Sequence, residues 1–167
     1  MELLQRAEGV LSVYVDGSGA GAGGWGVVAV EGGRGGADDD ATLRAEHYGS
    51  VTMDTLAPPF IGATKVTNNT AELTALAEGL YYLREVDGST GPALLRPDSL
   101  YAADIARGLA RGRVNRALAT RVRNLWTEEA ARRHGQLWAV HVQGHSGNCW
   151  GDRVDRAAAR GADGFTR

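Results

Sequence analysis

The first strong hydrophobic pattern along the chain is Val10–Asp16 (VLSVYVD), an apolar run rich in β-branched residues that ends abruptly in a carboxylate. It predicts a buried strand that carries Asp16 to the edge of a sheet. The glycine-rich segment Gly17–Gly26 then predicts a turn, and Trp25–Val30 (WGVVAV) a second strand paired with the first. EGGRGGADDD, with its acidic run Asp38–Asp40, reads as a solvated hairpin loop. His47–Thr55 alternates as a third strand, and Leu56–Thr64, with Pro58-Pro59, as an irregular connection.

From Thr67 the period changes. Leu73, Leu76, Ala77, Leu80 and Leu83 follow helical spacing over Thr67–Arg84, so one face should pack on the sheet. Asn69 or Thr70 is the expected N-cap, with Glu72 in the first turn beside the positive end of the helix dipole. Asp87-Gly88 should close this helix. Ala93–Arg96 (ALLR) predicts a short strand ended by Pro97, and Asp98–Gly108 a helix with Asp98 at its cap. The order strand–helix–strand–helix implies a right-handed parallel crossover that sets the short strand beside the first one. The carboxyl ends of both strands then lie together, where sites form in open α/β sheets. A helix through Trp126, the strand Leu137–Val142, the loop QGHSGNCWG and a final helix Asp152–Arg160, with Asp155 one turn in, complete the pattern. Trp25, Trp138 and the leucines are the expected core, with Trp126 partly buried.

The chain has 167 residues, a length suited to one domain spanning 1–167 with ample material for a core. Its net charge of −2 excludes a generally basic nucleic-acid coat, so a polyanion would have to be held by a local patch. One such patch is legible: Arg107–Arg123 carries Arg107, Arg111, Arg113, Arg116, Arg121 and Arg123 without one acid. The single cysteine, Cys149, excludes an internal disulfide and a cysteine-built zinc cage, which fits a reducing cytosol. The amino terminus lacks the apolar core of a signal peptide, and no stretch could span a bilayer.

An acid at the end of a core strand is costly to desolvate without a partner. Glu72, Asp98 and Asp155 each stand near the start of an expected helix, and with Asp16 they could form one carboxylate cluster holding divalent metal ions. Phosphodiester hydrolysis needs an activated water and a stabilised leaving oxygen, and two hard cations about 3.5–4 Å apart supply both. Magnesium prefers oxygen ligands, so carboxylates without a histidine cage suit it. Clustered acids without metal should repel and raise at least one pKa. Taken alone, Glu72 is a dipole partner, Asp98 a cap and Asp16 a turn acid; it is their order that favours chemistry. His47, His134 and His141 read as surface or sheet residues, and Cys149 has no base–orienter set to make it a nucleophile.

Four motifs in order resemble the type 1 ribonuclease H family: VDGSG at Val15–Gly19, TNNTAEL at Thr67–Leu73, PDSLY at Pro97–Tyr101, and GHSGN at Gly144–Asn148 followed by VDRAA at Val154–Ala158. The likeness runs from about Val10 to Ala159. It implies a three-layer α/β/α ribonuclease H-like fold with a mixed five-stranded sheet. It also implies cleavage of the RNA strand of an RNA–DNA hybrid by two magnesium ions, manganese being a possible substitute, to leave 5′-phosphate and 3′-hydroxyl ends. On the matching positions, Asp16 would bridge both ions, Glu72 and Asp98 would serve one and Asp155 the other. His145 would shuttle a proton or help product leave. Asn68 and Asn69 would lie in the minor groove, Thr67 and Asn115 near a DNA phosphate, and Gly17 and Ser18 against the RNA. The arginine run stands where family members carry a basic protrusion toward DNA. No protein partner is implied, and a monomer is expected.

The chain departs from the family pattern at Ala22, Leu100 and Gly151, and its Glu31–Gly62 region is longer than the compact bacterial form. None of these removes a candidate ligand. An integrase-like or resolvase-like domain of the same broad fold would lack the TNNTAEL segment. A non-catalytic hybrid-binding module would not need all four acids and the histidine.

Overall fold

The computed structural model describes residues 10–32, 41–142 and 148–167. Five strands form one sheet in the order β3-β2-β1-β4-β5. They are β1 (Leu11–Ser18), β2 (Gly24–Glu31), β3 (Thr42–Ser50), β4 (Ala93–Pro97) and β5 (Leu137–Ala139). β1–β2 and β2–β3 pair antiparallel, while β1–β4 and β4–β5 pair parallel, so the sheet is mixed and β1 is central. The helices are α1 (Asn68–Tyr81), α2 (Leu100–Ala106), α3 (Arg116–Arg132) and α4 (Cys149–Ala162).

Alternation along β1 and β2 divides the interior into two layers. Val13, Val15, Val27 and Ala29 face α1, α2 and α3, where they meet Leu73, Leu76, Leu80, Leu118 and Val122. Tyr14, Val28 and Val30 face α4 and meet Val154. A sheet covered on both faces needs strands that are apolar at nearly every position, which is why VLSVYV and WGVVAV read as continuous runs rather than alternating ones.

Several boundaries differ from the sequence reading. The third strand is Thr42–Ser50, not His47–Thr55. It is the edge of the sheet and its first half is solvated, so polar residues there hide the pattern; backbone pairing with β2 and ion pairs of Arg44 with Glu31 and of Glu46 with Arg153 hold it instead. Thr67, not Asn69 or Thr70, caps α1, its hydroxyl accepting from the Thr70 amide at 3.1 Å. Glu72 therefore stands in the second turn and is no partner of the helix end. Beyond Tyr81 the helix widens into a π-helical segment, Tyr82–Asp87, and stops at Gly88, whose φ of 66° supplies the left-handed cap. Ser99, rather than Asp98, caps α2. Asn148 caps α4, which begins at Cys149 instead of Asp152. The fifth strand ends at Ala139, although the Val140 and Val142 amides still donate to Leu95 and Pro97 at 2.8 and 2.9 Å. Leu56, Leu100 and Leu109 are exposed, against the expectation that the leucines are core.

A buried ionic network that the sequence did not announce ties α3 to the crossover. Arg133 is fully buried. It donates to Glu129 at 2.7 Å, to Asp87 at 2.9 Å and to the Gly91 carbonyl at 2.7 Å, fixing the loop that leads into β4. Burial alone would raise the Glu129 pKa; the hydrogen bonds and charges of Arg132 and Arg133 outweigh it and hold the carboxyl below its ordinary value. Removing one partner of such a pair strands a buried charge, so Arg133→Ala should cost about 3–5 kcal/mol in urea unfolding. Because the folded pKa of Glu129 is depressed, that stabilisation is complete above the unfolded value of 4.5 and fades as pH falls through the lower folded one. The gap between wild type and Arg133→Ala should narrow over that acid range.

Candidate active site

The site is built at the carboxyl ends of β1 and β4. Asp16 leaves β1 on the α4 face, the same side as Tyr14, and is only 7% exposed. Two glycines let the helices close on it. A Cβ on Gly17 would fall within the backbone of Ala71 and Glu72, so only glycine allows α1 to rest on the end of β1. A Cβ on Gly26, the partner of Asp16 in β2, would lie 2.8 Å from the backbone of Val154 and Ala158, so α4 docks through the same kind of gap. The first contact brings Glu72 to Asp16 and the second brings Asp155. Asp98 arrives from the turn between β4 and α2, because parallel pairing places Pro97 beside Val15.

Carboxylate oxygens of Asp16, Glu72 and Asp98 lie within 4.8 Å of one another. Asp155, exposed on α4, is outside that group of three but near enough for its carboxyl to act on Asp16. Burial, then the Asp98 charge, then Asp155 push the Asp16 pKa up to about 8, against the Gly17 amide that donates to it at 2.9 Å. Burial also raises Glu72, the Ser99 side chain opposes this by hydrogen bonding, and Asp98 adds a smaller upward push. An all-oxygen set of acids that resist ionising together fits a hard divalent cation, whose charge would remove both penalties.

The backbone beneath Asp98 is tied down from the segment just after β5: the His141 Nε2–H donates to the Asp98 carbonyl at 2.8 Å. His141 is exposed, in keeping with its reading as a surface or sheet residue; its contact with Asp98 has no signal in the neighbouring sequence. His145 lies outside the described residues.

A second group of expected residues meets on the other side of the α1 N-terminus. Thr67, Asn69 and Asn115 line a cavity of about 410 Å³ together with Lys65, Arg111 and Arg113. Asn115 holds a left-handed backbone, φ 61° and ψ 42°, and its buried Oδ1 has no hydrogen-bond partner among the described residues. Asn68 is directed elsewhere: its Oδ1 accepts from the Gly19 amide at 2.9 Å, pinning the β1–β2 turn to α1. Gly17 and Ser18 are half-buried beneath that turn. Lys65, the only lysine in the chain, was missed by the sequence reading although it stands two residues before the TNNTAEL motif.

Comparison with known proteins agrees across nearly the whole chain. The RNase H family model matches residues 8–163. Ribonuclease H of Saccharopolyspora erythraea is 31% identical over 171 residues, covering 94% of this chain and 93% of its own. Ribonuclease HI of Neisseria meningitidis is 32% identical over 165 residues, covering 92% and 96%. The crystal structure of LC11-RNase H1 in complex with an RNA/DNA hybrid shares the fold, with a TM-score of 0.59 at 18% identity over 90% of this chain and 97% of that one.

The folded pKa of Asp16 stands above the ordinary 3.8, so its contribution to stability is complete below that value and is lost as pH rises toward about 8. With a chelator present, Asp16→Asn should therefore melt several degrees above wild type on the alkaline side of this window and at the same temperature on the acid side. Thermal unfolding followed by circular dichroism across the range measures it; a variant less stable than wild type at alkaline pH would contradict the site's electrostatics.

Proposed function

The chain belongs to the RNase H family, and from that membership we propose that it is a metal-dependent endoribonuclease that hydrolyses the RNA strand of RNA–DNA hybrids, leaving 5′-phosphate and 3′-hydroxyl ends. The observation that carries the proposal is the convergence of Asp16, Glu72 and Asp98 from three separate elements, with Asp155 acting on Asp16 from a fourth. No structural need explains four acids gathered at the edge of a core strand.

Asp16, Glu72, Asp98 and Asp155 would hold two Mg²⁺ ions, with Mn²⁺ a possible substitute. When bound, these cations supply neutralisation of the phosphodiester charge and a water acidic enough to attack at neutral pH. Asp16, the most buried of the four and the one facing the other three, is placed to be shared. Ser99 and the Gly17 amide orient Glu72 and Asp16 through the bonds already described. Support of this kind fixes ligand direction as well as charge. We assign His145 to carrying a proton away from the reaction or helping product leave.

The hybrid would lie across the α1 N-terminus. Thr67, Asn69 and Asn115 with Lys65, Arg111 and Arg113 form a cavity of the right sign for a DNA phosphate, while Asn68, Asn69, Gly17 and Ser18 would meet the minor groove and the RNA strand. The hybrid bound to LC11-RNase H1 supports this reading. Phosphate contacts position a duplex without reading its bases, so affinity should be general and salt-dependent.

Two measurements test the proposal. A labelled hybrid should lose its RNA strand only when Mg²⁺ or Mn²⁺ is present. Asp16→Asn should lower kcat by about 10³-fold, since a shared ligand supports several kcal/mol of transition-state stabilisation at about 1.4 kcal/mol per tenfold. Tight hybrid binding with no cleavage in any metal would make the chain a binding module instead. Separately, Arg113→Ala should weaken hybrid binding and reduce the slope of log affinity against log salt by about 1. An unchanged slope would remove Arg113 from the phosphate contacts.

A further inference from the structure

On the α1 face of the sheet, the opposite side from Asp16, a cleft of about 230 Å³ opens between β2, β3 and the end of α1. Trp25 and Val27 from β2, His47 from β3, and Tyr81 and Tyr82 from the helix form its walls. Glu78 also lines it, and is out of keeping with the rest. Its neighbours one turn away, Thr74 on α1 and Tyr82 in the π-helical segment, are both buried, and Glu78 itself is half-buried on the flank of the helix that borders the cleft. Among the described residues no donor and no cation reaches its carboxylate. The other charged groups at the lip have counterparts: Arg167 lies 3.5 Å from Glu46, and Glu85 lies 3.6 Å from Arg84. Burial alone pushes the Glu78 pKa up to about 7.

An acid is an unfavourable choice for the half-buried wall of a largely aromatic and apolar cleft, where leaving its charge unpaired is costly. Two ways of meeting that cost exist. The carboxyl can stay protonated, or a cation can enter. Aromatic faces around the acid favour the second, because indole and phenol rings attract a cation electrostatically. The cleft is smaller than the roughly 300 Å³ at which pockets for drug-sized molecules begin, so its guest is a small one.

We propose that this cleft is a second ligand site, for a small organic cation: a protonated primary amine carrying an apolar or aromatic body, its ammonium paired with Glu78 and its body against Trp25 and Tyr81. The site is independent of the acidic centre. It faces the other side of the sheet and shares no residue with that centre or with the basic cavity.

The test uses the whole chain, labelled with ¹⁵N and titrated with 2-phenylethylamine, with the uncharged 2-phenylethanol and with the anionic 3-phenylpropionate at a pH about one unit above 7. The amine should shift the backbone amides of Trp25, Val27, His47 and Tyr82 saturably. It should bind at least about tenfold more tightly than the alcohol, the worth of one charged hydrogen bond, and the anion should not bind. Glu78→Gln should erase the preference for the amine while leaving hybrid cleavage unchanged; Glu78→Asp, which withdraws the charge from the cleft without removing it, should weaken amine binding alone. Equal binding of amine and alcohol, retention of the preference in Glu78→Gln, or shifts confined to the surroundings of Asp16 would each overturn the proposal. So would the absence of any saturable shift up to the solubility of the amine, which would leave Glu78 as a protonated structural acid.

Discussion

Carboxylates gathered at one edge of a sheet repel one another, and the elements around Asp16 are arranged so that the fold holds them there regardless. The helices that bring Glu72 and Asp155 do so by backbone contact: α1 rests on Gly17 and α4 on Gly26, with no side chain between. Backbone contact is less compressible than side-chain packing, so the separation of the acids is fixed by the positions of the main chain. Burial first, and then repulsion that a small retreat of either helix could otherwise relieve, keep the Asp16 pKa raised. A divalent cation relieves it most directly, which makes the electrostatics of the fold and the chemistry proposed for it two aspects of one arrangement.

Around this centre the rest of the charge is distributed by function rather than evenly. The chain is slightly acidic overall, yet Lys65, Arg111 and Arg113 collect at one cavity beside Thr67 and Asn115. A polyanionic duplex is attracted to such a patch and would be repelled by the acids next to it unless cations covered them. On the proposed reading, the same surface would hold a backbone phosphate on the basic side and admit a second strand to the acidic side only with metal bound. The buried Arg133–Glu129–Asp87 network plays no part in that surface. It fixes the entry to β4, and so the height at which Asp98 meets Asp16.

The two faces of the sheet carry different burdens. On the α4 face, Tyr14 and Asp16 give way from core to site within one step of alternation. On the α1 face the strands are core throughout, except where Trp25, His47 and the end of α1 leave the cleft lined by Glu78. The widening of the helix into a π-helical turn at Tyr82 occurs at the same place, and it turns Tyr82 toward His47, with ring centroids 6.0 Å apart.

Much of the architecture follows from the residues alone. Continuous apolar runs in β1 and β2, helical spacing in α1, and the strand–helix–strand order that sets β4 parallel to β1 are local or topological consequences of sequence, and the order of the four acid-bearing motifs was sufficient to expect their convergence. What sequence could not determine depends on contacts between distant segments. The edge strand Thr42–Ser50 takes its register from β2, because its own solvated half carries no pattern. The caps at Thr67, Ser99 and Asn148 are the local exception: which hydroxyl or side-chain amide oxygen reaches a free backbone N–H is settled by geometry within one turn. The burial of Arg133, the tie from His141 to Asp98 and the isolation of Glu78 depend on which groups the fold brings into contact across 42 or more residues of chain, or fails to. Residue type and spacing fix which groups can ionise or bond; only the packed backbone fixes the distances that decide whether they do.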